Sequence, residues 1–480
     1  MGAQTDKRLQ SPGDGPQSFG SALAGAMKSN MRQYTMIAAL LLIWLIFTFL
    51  TKGKFLTPRN LSTLFLQMVT IGILTGGMLL VMVAGNIDLS VGAVCGTLGA
   101  VVAYLMSKMG VPPIAAVLIT VALGALVGLW NGFWVAYQGV PAFIVTLASQ
   151  ITFRGITLAI TGGKTIGEFP TGFKNIGQGY IPRWFYAEEF FSLQVLVIGA
   201  LAILIYLAIE FYMRGKRIAG GLTARPWFVE APKIVGICAA ICVIVHLFFG
   251  HGPIQRWLCE QEAFHALSVV ICTAAILAFL FMEFRKRRKR VANGFHVLPK
   301  SLEIIKVVII CAAVGALGYV FGSYRGISYA MVILAVVVAI YTMLTTRSPF
   351  GRHVYAIGGN REAARLSGVN IKRTMLTIFL SMGTLSGVAS VVFTARLNAA
   401  TAAAGNLFEL DTIAACIIGG TSTTGGIGTV FGALIGALVM ASLNNGMSLM
   451  NLDVMIQYIV KGIILLLAVW VDIANKRRHA

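Results

Sequence analysis

The residues of this chain that can do chemistry are few, and most stand beside long apolar stretches. Asp88 and Ser90 lie in Gly85-Asn-Ile-Asp-Leu-Ser-Val-Gly92, between two apolar runs. An acid in that setting either serves function inside a membrane or caps the next helix by accepting its free N–H groups. Thr421, Ser422, Thr423 and Thr424 fall in the Gly-rich run Gly419–Gly428. Their hydroxyls either line a polar path for a hydroxyl-rich solute or satisfy a broken helix internally. Glu409 and Asp411 precede that run and are expected at its outer end, in reach of a docked protein. Arg154 and Lys461 sit inside apolar segments; Lys461 is near enough to its helix start to snorkel, and a pairing acid is left open. Cys238, Cys242 and His246 stack on one helix face, but metal ligation needs further donors, and small residues in an apolar helix explain the cysteines. No metal site is assigned. The Gly-x4-Gly-Lys-Ser/Thr loop is absent from the sequence, so the chain is not itself expected to be an ATPase; no catalytic constellation or cofactor site is read either.

A second group of polar residues has a different character. In Gly358-Gly-Asn-Arg-Glu-Ala-Ala-Arg-Leu-Ser-Gly-Val369, Asn360 suits a helix N-cap and Glu362 falls in the first turn, where the helix dipole favours an acid. Gly368 is placed to end the helix after about two turns. The loop at about 346–373 therefore holds a short amphipathic helix between two apolar segments. It is either an ordinary structured loop or a rigid lever for a partner protein.

The elements that position these residues follow from composition. Hydrophobic residues make up 57% of the chain and charged ones 11%, too few to coat a soluble fold of 480 residues. Charge-free windows run from Leu61 to Ile87, Leu89 to Ser107, Met109 to Phe153, Ile234 to Gln255, Thr374 to Ala395 and Thr412 to Leu452. Each is long enough for one or two helical crossings, and none alternates as a barrel strand would. The expected fold is an all-α, polytopic transmembrane bundle of about 12–14 segments in two pseudo-repeated halves. Residues 1–33 read as a disordered tail, 34–217 as the first half, 218–300 as an insertion with two further helices, and 301–480 as the second half. The 410–422 piece is too short to cross comfortably.

The net charge of +21 does not point to nucleic acid, because the basic residues cluster between apolar windows. Arg214–Arg225, Arg285–Arg290, Arg347–Arg373 and Lys476–Arg478 all fall on one side if both termini are cytoplasmic; Lys52, Lys54 and Arg59 break the pattern. The repeat is faint. Gly124-x3-Gly128 with Asn131-Gly132 matches Gly432-x3-Gly436 with Asn445-Gly446, and Gly85–Gly92 corresponds to Gly419–Gly428. Small residues pack apolar helices in any case, yet interruptions at matching places also mark translocation paths.

Glu362-Ala-Ala364 followed by Gly368 resembles the EAA signature of ATP-binding-cassette importer permeases. Tyr355–Gly368, Ile87–Gly92, Gly419–Ser422 and Val460–Leu467 resemble its ribose/xylose/galactose branch. Val140–Leu147, Phe408–Ala415 and Leu443–Met447 are most similar to permeases for xylose or several monosaccharides. The resemblance covers about 34–213 and 304–478. It implies a homodimer in the bacterial inner membrane that works with an ATP-binding cassette subunit and a periplasmic sugar-binding protein. It also implies that Asn360, Arg361, Glu362, Ala363, Ala364, Arg365 and Gly368 meet the ATP-binding subunit. The competing expectations are an ion-coupled sugar carrier, which usually embeds several acids, and a membrane scaffold or channel.

Overall fold

The computed structural model describes residues 31–180, 315–321 and 323–477, with positions 273 and 276 standing alone. Outside these lie the charge-free window from Ile234 to Gln255, the Cys238/Cys242/His246 trio and almost all of the 218–300 insertion. Of the expected tail only residues 31–33 are described, and they open the first helix.

The chain divides into two compact units. Among described residues, the first holds 31–179 and 329–477. Its elements are α1 (Met31–Leu50), α2 (Pro58–Val83), α3 (Val91–Ser107), α4 (Pro113–Ala136), α5 (Ala142–Thr161), β1 (Ile166–Gly167), α6 (Thr171–Gln178) and α7 (Tyr329–Arg347), followed by α8 (Pro349–Gly359), α9 (Arg361–Leu366), α10 (Ile371–Leu397), β2 (Ala399–Ala400), α11 (Phe408–Ile418), α12 (Val430–Leu449) and α13 (Val454–Arg477). In the second unit, Tyr180 bridges Ser328 and the Arg325 guanidinium lies 5.9 Å from the Tyr180 ring centre.

Helices α2, α4, α5, α7, α10 and α12 are long and apolar enough to cross a membrane, and α1, α3 and α13 contain shorter apolar stretches. Pro58, Pro113 and Pro349 stand in the first turns of α2, α4 and α8, where a missing N–H costs nothing. The first unit is thus the polytopic helical bundle expected from the apolar windows.

Burial sorts these helices by place. In α2, 83% of the most apolar window is buried, whereas α4 and α5 bury 22% each. A helix apolar all round and buried all round is a central one. The outer faces of α4 and α5 instead present Leu118, Leu126, Trp130, Phe143, Leu147 and Ile151, which suit lipid.

The most extensive helix contact is between α4 and α10, and glycine makes it close. A methyl group on Gly383 would strike the Gly124 carbonyl, and one on Gly128 would strike the Phe379 carbonyl. The second Gly-x3-Gly does the same between α12 and α11, with Gly432 against the Gly419 carbonyl and Gly436 against that of Ala415. Both copies of the repeat therefore sit in packing seams, where dispersion between backbones replaces the absent hydrophobic drive.

The 410–422 piece resolves into α11, whose 11 residues span about 16 Å. That is half the hydrocarbon core, so α11 is a half-helix followed by the irregular segment 419–429. The antiparallel pair β1–β2, Ile166 opposite Ala400, was not expected. Two-residue strands carry no alternation to read.

Gly383→Val should cost about 1–3 kcal/mol or more by overpacking the α4–α10 seam. It would appear as a lower unfolding midpoint of the detergent-purified protein. Gly155→Val, whose side chain would enter open space, should leave the midpoint nearly unchanged.

Candidate functional site

The loop between α7 and α10 folds as two helices rather than one. Ser348 caps α8 by accepting the Gly351 N–H at 3.0 Å. Asn360 then turns the chain with an extended backbone and caps α9, accepting the Ala363 N–H at 2.9 Å. Gly368, at φ +82, ends α9: its N–H reaches the Arg365 carbonyl, and the Val369 N–H reaches that of Ala364. This left-handed turn is cheap only for glycine. Ala364 is buried against the body, while Arg361, Glu362, Ala363, Arg365 and Leu366 face outward. Glu362 and Arg365 pair at 3.0 Å, an exposed contact that orients the two side chains more than it stabilises the fold.

Behind this tip, Tyr355 donates its hydroxyl to the Gly428 carbonyl at 2.6 Å. Partial burial pushes its phenol above the usual range, so the group stays a donor. Gly358 lies directly on the Val83 carbonyl at the end of α2.

Two helix breaks meet where the Gly426 N–H donates to the Val83 carbonyl, at 2.8 Å. The first, residues 84–90, carries Asp88, whose Oδ1 accepts the Ser90 N–H at 2.8 Å and the Ser90 hydroxyl at 2.6 Å. Asp88 therefore holds the turn into α3 and does not cap its first helical N–H groups; Ser90, the N-cap residue, makes no side-chain cap bond. The Ser90 hydroxyl in turn accepts from Asn131 Nδ2 at 3.1 Å, and Asn131 Oδ1 accepts from Ser149 at 2.6 Å. All four residues are buried. The chain of bonds ties the first break to α4 and α5. Sequence reading missed Asn131 and Ser149 because they carry no charge; a buried polar residue inside a charge-free window was the available signal.

In the second break, Ser422 and Thr424 share a hydrogen bond at 2.9 Å, and the Ser422 N–H reaches the Ile427 carbonyl. Thr421 is fully buried and its hydroxyl makes no hydrogen bond among the described residues. Thr423 is half-buried and Thr424 exposed. The hydroxyls expected to act together thus divide between the interior and the surface.

Glu409 and Asp411 require a correction. Both open α11, but they are 3% and 2% exposed rather than presented at an outer surface. Gln150 donates to Glu409 at 2.8 Å. Asp411 accepts from Asn444 at 3.1 Å and pairs with Lys461 at 3.0 Å. Partners from α5, α12 and α13 hold one oxygen of each acid, and neither side chain is presented at the surface. Lys461 thereby finds the acid left open by the sequence. Arg154 instead binds the Ala404 and Gly405 carbonyls, at 2.7 and 2.9 Å.

A membrane-helix bundle with two interrupted segments in contact, and an exposed capped tip joined to both, is the architecture of a transport permease. The chain belongs to the family described as branched-chain amino acid transport system / permease component, which matches residues 60–225 and 227–469. It is 37% identical to the xylose transport system permease protein of Escherichia coli over 95% of each chain. The protein of the same name from Haemophilus influenzae is 35% identical, over 94% of this chain and 98% of its own. The ribose import permease protein of Bacillus subtilis is 26% identical over 90% of each chain. No solved structure matches.

Removing one member of a buried ion pair strands the other. Lys461→Met should therefore cost about 3–5 kcal/mol, and Asp411→Asn/Lys461→Met clearly less. Unfolding midpoints in detergent for the wild type, the two single variants and the double variant check this; additive losses would show that the pair is not coupled.

Proposed function

We propose that this chain is the membrane-spanning subunit of an ATP-driven importer that carries a pentose-like monosaccharide, xylose foremost, into the cytoplasm. The observation that carries this reading is the α9 tip. Its base is fixed by Asn360, Gly368 and buried Ala364, while Arg361, Glu362, Arg365 and Leu366 stand free on a chain without a P-loop of its own. A rigid charged tip suits docking into a separate ATP-binding subunit, which would supply the hydrolysis. The names of the relatives support the solute class, since xylose and ribose are both pentoses.

The assembly is part of the same proposal. Two copies of the chain pair in the inner membrane, with both termini and the 346–373 loop on the cytoplasmic side, where the basic clusters favour them. A periplasmic sugar-binding protein delivers the solute from the opposite face. Asp88, Ser90 and the hydroxyls of Thr421–Thr424 flank the path, which opens as the two breaks rearrange.

The buried carboxylates of Asp88, Glu409 and Asp411 favour a second reading, an ion-coupled carrier. Transport separates the two. In proteoliposomes holding the chain with its ATP-binding and sugar-binding partners, labelled xylose should accumulate only with ATP. The chain alone under a proton gradient should accumulate none, and accumulation there would establish the carrier instead. Glu362→Lys should lower ATP-driven uptake by about tenfold or more, equivalent to about 1.4 kcal/mol of docking free energy.

A further inference from the structure

We propose that Tyr355 and Gly358 form the joint through which a movement of the α8–α9 tip reaches both helix breaks, which makes them positioning residues for transport. The proposal rests on the permease reading above.

Three backbone segments touch here with no side chain between them. Gly358, in the last turn of α8, leaves no room for a methyl group beside the Val83 carbonyl. A methyl on Gly425 would lie 2.9 Å from the Gly358 carbonyl oxygen and 3.0 Å from that of Val83. One on Gly426 would lie 3.1 Å from the Gly359 Cα. The Gly426 N–H donates to the Val83 carbonyl at 2.8 Å. Tyr355 adds a side-chain link, from α8 to the Gly428 carbonyl.

This geometry transmits displacement because hydrogen bonds, and not packing alone, hold the three segments together. A side chain that only packs between two helices absorbs a small shift by changing rotamer, whereas segments tied by hydrogen bonds move together. Val354 and Ile357, both buried, keep α8 seated beside the joint. From Val83 the chain enters the break that holds Asp88 and Ser90; from Gly428 it enters α12. A shift of α8 is thus delivered to both breaks at once, while Asn360 joins α8 directly to the exposed tip.

A packing role and a joint differ in what they predict. Tyr355→Phe keeps the ring and its packing but removes the hydroxyl that holds Gly428. The assembled transporter, with its ATP-binding and sugar-binding partners in proteoliposomes, is assayed for ATP hydrolysis and labelled xylose uptake in parallel. Tyr355→Phe should assemble and hydrolyse ATP close to the wild-type rate, yet import at least about fivefold less sugar per ATP, the low end of couplings between distant sites. Gly358→Ala should lower the same ratio further in whatever fraction assembles. An unchanged ratio for Tyr355→Phe overturns the joint, and so does a parallel fall in uptake and hydrolysis, which marks a folding role. A wild type that fails to couple uptake to ATP removes the permease reading and the joint with it.

Discussion

The hydrogen bond from the Gly426 N–H to the Val83 carbonyl, 2.8 Å long, is the contact on which the interior depends. A backbone N–H or C=O shut off from water and left unpaired costs free energy comparable to a lost hydrogen bond. Where α2 ends, the Leu80, Val81 and Met82 carbonyls accept from Ala84, Asn86 and Gly85, and the Val83 carbonyl takes its partner from the second break. In the segment 419–429 the N–H groups of Gly419, Gly420, Thr421, Ser422 and Gly425 are bonded locally, while that of Gly426 reaches α2. The two interruptions solve the problem together, the donor of one satisfying the acceptor of the other. Tyr355 satisfies a further acceptor by donating to the Gly428 carbonyl. The Gly426–Val83 bond thus joins the two breaks through their backbones.

The same requirement explains the residue types around the breaks. An approach close enough for backbone bonding leaves no space for Cβ, so glycine occupies positions 358, 425 and 426. The last two also take φ of +90 and +75, which other residues rarely adopt. At the start of α3, a methyl on Gly92 would strike the Glu409 carboxylate. That contact sets an acid near the positive end of a helix dipole while Gln150 holds its other oxygen. Asp411, two residues on, is matched to Lys461 instead. The first turn of α11 is therefore fastened by polar contacts from several helices, as a half-helix too short to hold itself by apolar burial requires.

Local signals were legible before the fold was. The capping role of Asn360, the stop at Gly368 and the interruptions at 84–90 and 419–429 follow from residue type and neighbours within a few positions. What stayed hidden depends on distant partners. Glu409 and Asp411 look exposed because acids at a helix start usually face water, and nothing local reveals Lys461, 50 residues away, or Gln150, 259 away. Asn131 was visible only as part of a glycine pattern, and its bonds to Ser90 and Ser149 belong to the packed bundle. The split of the 346–373 loop into α8 and α9 was hidden for a related reason. The sequence around Asn360 allows a helix start, but that a helix also ends there depends on α8 lying against Val83 and Gly425.

Interfaces made of backbone rather than interlocked side chains bear on how such a bundle changes state. Large side chains from facing helices interdigitate, and sliding one helix past another then means unpacking several at once. The α4–α10 and α11–α12 seams have glycine where such knobs would sit, so the barrier to a shift along them is lower. Hydrogen bonds supply the discreteness that smooth seams lack. The run from Ser149 through Asn131 and Ser90 to Asp88 is buried, and a half-broken buried network is worse than an intact one. Such a network favours either this arrangement or another in which every member finds a new partner, with little in between. Smooth seams crossed by all-or-none polar links give a helix bundle two packings rather than a continuum.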